Sequence, residues 1–203
     1  MILGYEWNTL FALACALSGY LLGNIQTAII ISKRAFHDDV REHGSGNAGA
    51  TNMLRVFGVK PGILTFVGDL TKGILGVLAG RLLMGELGGY IAALFVVLGH
   101  CYPVFAGFRG GKGVAASLGI AWMVFPLGAA ITTAAAAVIG LVSRRISLCS
   151  LSGIAVFFIT TLIFRMPNRA LVILTGLMLV IVYVRHKDNI RRLLHGEEKQ
   201  IIN

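Results

Sequence analysis

The sequence predicts an all-α integral membrane protein of about seven transmembrane helices. The N-terminus is expected outside, the C-terminus in the cytoplasm, and the signature loops on the cytoplasmic face. Three observations lead there. Of the 203 residues, 56% are hydrophobic and only 13% charged, with a mean hydropathy of +0.80, whereas soluble domains carry about 25% charged residues. Apolar runs recur along the whole chain, and a helix crosses a bilayer core in roughly 20 residues, so about five to seven crossings fit with their loops. Basic residues, finally, fall heavily on one side of those crossings. No room is left for a separate soluble domain, and residues 1–203 are read as a single polytopic membrane domain.

The first apolar run, residues 10–31, lacks a preceding basic segment and is long enough to span, so it is expected to be a helix rather than a cleaved signal peptide. Further runs follow at about 63–83, 87–108, 114–142, 148–164 and 170–184. The run 114–142 is long for one crossing and short for two. Pro126 and Gly128 near its middle permit a break, so the choice lies between six and seven helices. Charge favours seven. With seven helices, fourteen Lys and Arg lie in the odd-numbered gaps and the C-terminal tail, from Lys33 and Arg34 through Arg55, Arg109 and Lys112 to Arg185 and Lys199. Only Arg81, Arg165 and Arg169 lie in the even-numbered gaps, and Lys72 sits inside a helix. Short cytoplasmic loops collect Lys and Arg. The same bias accounts for the net charge of +9 without a nucleic-acid partner. Three cysteines without ligand spacing, and no clustered carboxylates, argue against a disulfide framework, a metal site or a metal cofactor.

This topology places four glycine-rich or polar segments on one face, at 43–55, 100–113, 143–152 and 185–198, and a composite site is expected there. Its cations and scarce carboxylates suit a phosphorylated or carboxylated anion, because glycines let backbone N–H groups approach phosphate oxygens. In the first segment, Gly44-Ser45-Gly46-Asn47-Ala48-Gly49 predicts a tight turn. A short helix from Ala50 to Arg55, carrying Thr51 and Asn52, would offer its free N–H groups and the Arg55 fork to an anion. A loop that merely caps a helix, with Arg55 as a membrane-side anchor, is the plainer alternative. In the second segment, Gly110-Gly111-Lys112-Gly113 fails the P-loop pattern at Ala106 and Gly113, leaving a lysine among glycines at a helix start. His100 is read as a structural hydrogen-bonding histidine, and Asp69 and Lys72 as an i, i+3 pair. In the tail, continuation of the last helix would put His186 and Asn189 on one face. Arg191, Arg192 and Lys199 suit an amphipathic tail on anionic lipid.

These residues carry a resemblance. Ser-Gly-Asn-x-Gly-Ala-Thr-Asn-x-x-Arg at 45–55, Gly-His-x-x-Pro-Val-Phe-x-Gly-Phe-Arg-Gly-Gly-Lys-Gly-Val-Ala at 99–115, and His-x-x-Asn-Ile-x-Arg-Leu-x-x-Gly-x-Glu at 186–198 resemble the three signature loops of the bacterial membrane acyl-phosphate:glycerol-3-phosphate acyltransferases. The resemblance implies a seven-helical enzyme of the bacterial inner membrane. It implies that a fatty acyl group moves from a long-chain acyl phosphate to the sn-1 hydroxyl of glycerol 3-phosphate, giving lysophosphatidic acid and phosphate, the first step of phospholipid synthesis. By matched position, Ser45, Arg55 and Lys112 would hold the acceptor's phosphate, and Ser150, His186 and Asn189 would orient its hydroxyls. The small residues around Thr51, Asn52, Gly110, Gly111 and Gly113 would line the donor's phosphate site, and Asn47 is expected among the substrate-binding residues. The Ser-Leu-x-Ser stretch at 147–150 is a weaker match, which leaves Ser147 as the alternative to Ser150. The resemblance implies no cofactor and no protein general base. The chain also lacks the His-x4-Asp pair of the better-known glycerolipid acyltransferases, since five positions after His37 stands Glu42. A transporter of a small phosphorylated anion is the alternative from another class, but no inverted repeat is visible.

The topology is testable by labelling. A single cysteine at Gly110 or at Asn189, in a background free of other cysteines, should react with an impermeant maleimide only from the cytoplasmic face. Labelling of either from outside would mean that the crossing count is wrong.

Overall fold

The computed structural model describes residues 2–200 of the chain, with side chains from Asn8 onward. Among these residues it is helical throughout, with nine α-helices, two short 3-10 turns and no strand. The helices fall into two compact units, Met1–Ile120 and Ala121–Asn203.

In the first unit, α1 (Ile2–Asn24) and α2 (Thr27–Phe36) replace the single helix expected over 10–31. The break falls at Ile25 and Gln26, and Gln26 is extended (φ −91°, ψ 90°). The physical reason lies in a neighbouring helix: the carbonyl oxygens of Ile25 and Gly23 accept hydrogen bonds from the buried Lys72 ammonium at 2.8 and 3.4 Å. An unbroken helix would consume those carbonyls. A 3-10 turn at Val40–Glu42 then leads to α3 (Ala50–Phe57). Next comes α4 (Val59–Cys101), whose two arms, 59–83 and 86–101, are separated by non-helical Met84 and by Gly85 at φ 62°. The arms double back on each other, since a Cβ on Gly80 would overlap the Gly88 carbonyl oxygen, and one on Gly76 would meet Val96.

Small residues set the spacing of these helices. Gly19 of α1 lies against the Ala92 backbone, Gly23 against Val96 and Gly99, and Gly73 against Ala116 at the start of α5 (Val114–Val124). In lipid, where apolar burial gives helices no preference for one another over the tails, such close backbone approach is a main source of association.

The second unit holds α6 (Pro126–Ser143), α7 (Ile146–Arg165), α8 (Arg169–Arg185) and α9 (Lys187–Leu194). Pro126 starts α6, so the run 114–142 is broken where the sequence suggested, with Phe125 extended at the joint. Arg144, in the left-handed region at φ 53°, turns α6 into α7. The core gathers Phe157, Leu171, Met178 and Val182. Phe125 and Phe157 lie 6.5 Å apart, and the Arg165 guanidinium sits 5.5 Å over the Phe125 ring.

Helices occupy each of the expected apolar segments. By length and apolarity, four stretches among the described residues suffice to cross a membrane: Asn8–Phe36, Val59–Ala106, Pro126–Ser143 and Ile146–Arg165. The last pair, Arg169–Arg185 and Lys187–Leu194, makes a fifth as one bent span. Val59–Ala106 contains the chain reversal at Met84 and Gly85, so it supplies two apolar arms. Val114–Val124, with 11 residues, is only about 16 Å long against a core of about 30 Å.

Two glycines separate packing from propensity. A Cβ on Gly153 would stand in ordinary contact, 3.5 Å from the Ala136 Cβ, whereas one on Gly80 has no room. Gly153→Ala should leave the melting temperature of the purified protein unchanged or raise it, since Ala gains about 1 kcal/mol of helix propensity. Gly80→Ala should lower it, because overpacking costs about 1–3 kcal/mol. Equal shifts for the two variants would count against close packing as the determinant.

Candidate functional site

In the first unit, two loops carry the expected anion ligands, and the chain clamps them together. The first loop is organised by Asn52. Its buried side-chain amide donates to the carbonyls of Val40 and His43, both at 3.0 Å, and its oxygen accepts the Ser45 N–H at 2.9 Å. Gly44 and Gly46 take φ near +60° and +70°, at 61° and 68°, so the turn expected at 44–49 is present. Asn52 therefore acts as the staple of the loop. Ser45 is exposed and its backbone is fixed by that staple, while Asn47 and Thr51 are half-buried at the loop end and the first turn of α3. The helix expected over 50–55 runs to Phe57, with Gly49 as its N-cap and no side-chain cap. Arg55 is exposed on its outer side and has no acidic partner among the described residues.

The second loop turns through a 3-10 segment at Val104–Ala106 into left-handed Gly107 and Phe108 (φ 64° and 59°). Gly110 and Gly111 are buried against His100: the Gly111 N–H donates to the His100 carbonyl at 3.1 Å, and a Cβ on either glycine would overlap His100. No other residue fits there. Lys112 follows, half-buried, and Gly113 at φ 86° leads into α5, its carbonyl accepting the Ser117 N–H.

Arg41, which sequence reasoning counted only as a loop charge, ties the two loops. It donates to the Ala106 carbonyl at 2.8 Å and makes a two-point contact with Asp39 at 3.0 and 2.8 Å. The guanidinium holds the Asp39 carboxyl far below the ordinary carboxylate range, against the opposing effect of burial. The spacing Asp-x-Arg was the available signal. Arg109, by contrast, meets Glu42 at 3.7 Å in an exposed pair of the kind worth little.

In the second unit, the tail does not continue α8. The chain bends by 65° at His186, which ends α8 and precedes α9. The helical register expected to align His186 and Asn189 is thus interrupted, because His186 departs from helical geometry (φ −101°, ψ 10°) and its Nδ1 faces the Val182 carbonyl at 2.8 Å. Both side chains remain buried. The organising residue here is Glu198, quoted in the third motif but given no role by the sequence. It accepts from Asn189 at 2.6 Å and from Arg192 at 2.7 Å. Arg192, expected on the lipid surface, is thereby held within the tail. Burial pushes the Glu198 carboxyl up, but its hydrogen-bond donors outweigh burial and hold it below its ordinary value. The two serines left open by the sequence differ: Ser150 donates to the Ile146 carbonyl at 2.8 Å, while Ser147 lies buried one turn earlier.

Of the expected residues, the structure joins Ser45 to Asn52, sets Gly110 and Gly111 on His100, and links Asn189 to the tail carboxylate. Among the described residues no group of three or more His, Cys, Asp or Glu is placed to hold a metal ion.

The Glu198 contacts make a pH prediction. A depressed folded-state carboxyl contributes stability that is complete above its unfolded value, about 4.3, and is lost as pH falls through the lower folded value. The melting temperature of the wild type should therefore exceed that of Glu198→Gln by a constant margin between about pH 6 and 8, and the margin should shrink below about pH 4.5. A margin independent of pH down to acid unfolding would rule out the carboxylate contacts.

Comparison with known proteins identifies the family. The family model described as glycerol-3-phosphate acyltransferase matches residues 13–196. The glycerol-3-phosphate acyltransferase of Thermoanaerobacter sp. (strain X514) is 40% identical over 193 residues, 95% of this chain and 96% of that protein. That of Clostridioides difficile (strain 630) is 41% identical over 192 residues, 92% and 93% of the two chains. The crystal structure of PlsY (YgiH), an integral membrane glycerol 3-phosphate acyltransferase, in its glycerol 3-phosphate form superposes with a TM-score of 0.88 at 36% identity, covering 93% of this chain and 94% of that one. Its lysophosphatidic acid form gives 0.85 at 35% identity, with the same coverage of 93% and 94%. With its signature loops intact and the match running over nearly its whole length, the chain belongs to the glycerol-3-phosphate acyltransferase family.

Proposed function

We propose that this protein is an integral enzyme of the bacterial inner membrane that transfers a fatty acyl group from a long-chain acyl phosphate to the sn-1 hydroxyl of glycerol 3-phosphate. The products are lysophosphatidic acid and inorganic phosphate. The observation that carries the reading is the pair of glycine-rich loops fixed to each other in the first unit by Arg41, carrying Arg55 and Lys112. Glycerol-3-phosphate acyltransferase activity follows from the family, and the choice of an acyl phosphate donor follows from the three motifs and from the missing His-x4-Asp pair.

In this reading Ser45, Arg55 and Lys112 hold the acceptor's phosphate, and Ser150, His186 and Asn189 orient its hydroxyls. Thr51, Asn52, Gly110, Gly111 and Gly113 shape the donor's phosphate site, Asn52 by holding the loop and the glycines by letting the backbone pack closely, and Asn47 belongs to the substrate-binding loop. The sn-1 oxygen attacks the acyl carbon, the bond from that carbon to the phosphate oxygen breaks, and phosphate leaves with the electron pair. The hydroxyl proton ends on that phosphate. An acyl phosphate brings an activated carbonyl and its own basic oxygens, so the protein needs no strong base and contributes chiefly position and cationic stabilisation of developing charge. No metal or cofactor enters the scheme.

Arg55 tests it. A charge-assisted contact is worth roughly 1.5–3 kcal/mol, so Arg55→Ala should lower kcat/KM for glycerol 3-phosphate about ten- to hundred-fold. Arg55→Lys should recover only part, since an ammonium keeps the charge but lacks the planar fork. A near-normal Arg55→Lys enzyme with an unchanged acceptor KM would reduce Arg55 to a topological anchor.

A further inference from the structure

The proposed chemistry leaves one buried polar cluster of the first unit unused. The Lys72 ammonium lies 2.9 Å from Asp69 Oδ1, 2.7 Å from His100 Nδ1 and 2.8 Å from the Ile25 carbonyl oxygen, and all three side chains are almost wholly buried. Asp69 Oδ1 also accepts the Thr27 hydroxyl at 3.1 Å. An ammonium has three N–H donors and no acceptor, so Nδ1 of His100 must accept, and the proton of the neutral ring sits on Nε2. The ring's far end lies against Gly111: a Cβ there would overlap Nε2 and stand 3.0 Å from the Ala48 carbonyl oxygen. The His100 backbone carbonyl takes the Gly111 N–H at 3.1 Å and the Gln26 amide at 3.3 Å. The same imidazole thus seats the glycine before Lys112, and that glycine in turn lies against the first loop at Ala48, two residues before α3, which carries Arg55.

We propose that Asp69, Lys72 and His100 form a positioning chain for the acceptor site, in which Lys72 fixes the tautomer and orientation of His100, and His100 fixes the relative placement of the two loops that present Arg55 and Lys112. A protonated Lys72 is balanced by Asp69, so the chain is neutral overall and remains compatible with burial. His100 touches neither substrate; it acts through Gly111. The proposal rests on the reading that Arg55 and Lys112 bind the acceptor's phosphate.

The test is a comparison of Michaelis constants in purified full-length protein. His100→Asn retains an oxygen near the Nδ1 position but is too short to reach Gly111. It should raise the KM for glycerol 3-phosphate about tenfold or more, the scale of a misplaced ligand, and the acyl phosphate KM should rise with it, because Gly111 also belongs to the proposed donor site. An unchanged acceptor KM in folded His100→Asn, or a fall in kcat alone, would overturn the proposal. The double variant Asp69→Asn with Lys72→Met removes the donor to Nδ1 and leaves no lone buried charge. It decides the matter if His100→Asn does not fold, and it should reproduce the rise in acceptor KM, a wild-type acceptor KM refuting the chain. Arg55→Ala and Lys112→Ala run alongside. If they leave the acceptor KM unaltered, the phosphate-binding reading itself fails. If they raise it while the His100 and Lys72 variants do not, only the positioning chain fails.

Discussion

The Lys72 amine is enclosed by apolar helices, and the first unit surrounds it with acceptors. Asp69 supplies the countercharge from the same helical arm, His100 supplies a ring nitrogen from the end of the other arm, and Ile25 supplies a carbonyl released by the break between α1 and α2. Leaving any of them unmatched in such surroundings would cost several kcal/mol. The break between α1 and α2, the pairing of the α4 arms and the seat of the 107–113 loop are all joined to that one requirement. Glycines make the arrangement possible, because only backbones in near contact bring a lysine, a histidine and a helix end within hydrogen-bond reach.

The loops outside the helices solve a related problem in a different way. An anion site needs backbone N–H groups and cations that are held still yet not spent on one another. Asn52 and Arg41 satisfy the loop carbonyls, at Val40, His43 and Ala106, so the loops hold their shape without using Arg55. Asp39 absorbs the charge of Arg41. The division of labour is clear in the distances: the charges that hold the loop are paired at about 3 Å, while Arg55 lies exposed without an acidic partner among the described residues. In the second unit Glu198 has the holding role, tying the tail to Asn189 and Arg192.

Much of this was legible in the sequence, and the parts that were not have a common cause. Apolar runs located the helices, Pro126 located the break between α5 and α6, and the glycine spacing located both loops, because these are local properties of backbone and composition. The Asp69–Lys72 pair follows from i, i+3 spacing alone. The break at Ile25 and Gln26 lies in an apolar run with no proline, and it arises from a lysine more than forty residues away. The bend at His186 was likewise hidden, since nothing in the local pattern forbids a helix there. Asn52 was marked as a possible ligand, and its saturated side chain could be recognised only once Val40, His43 and Ser45 were brought around it. Long-range pairing, rather than local propensity, is what a single sequence conceals.

The central claim is that the donor is an acyl phosphate, and that its own phosphate removes the need for a protein base. The most direct measurement is release of inorganic phosphate and formation of lysophosphatidic acid by the purified protein, with glycerol 3-phosphate as acceptor and either palmitoyl phosphate or palmitoyl-CoA as donor, in chelator throughout. The account predicts one phosphate per lysophosphatidic acid from palmitoyl phosphate, undiminished by chelator, and no product from palmitoyl-CoA. Turnover of palmitoyl-CoA at a comparable rate, or a loss of turnover in chelator that a divalent cation restores, would contradict it.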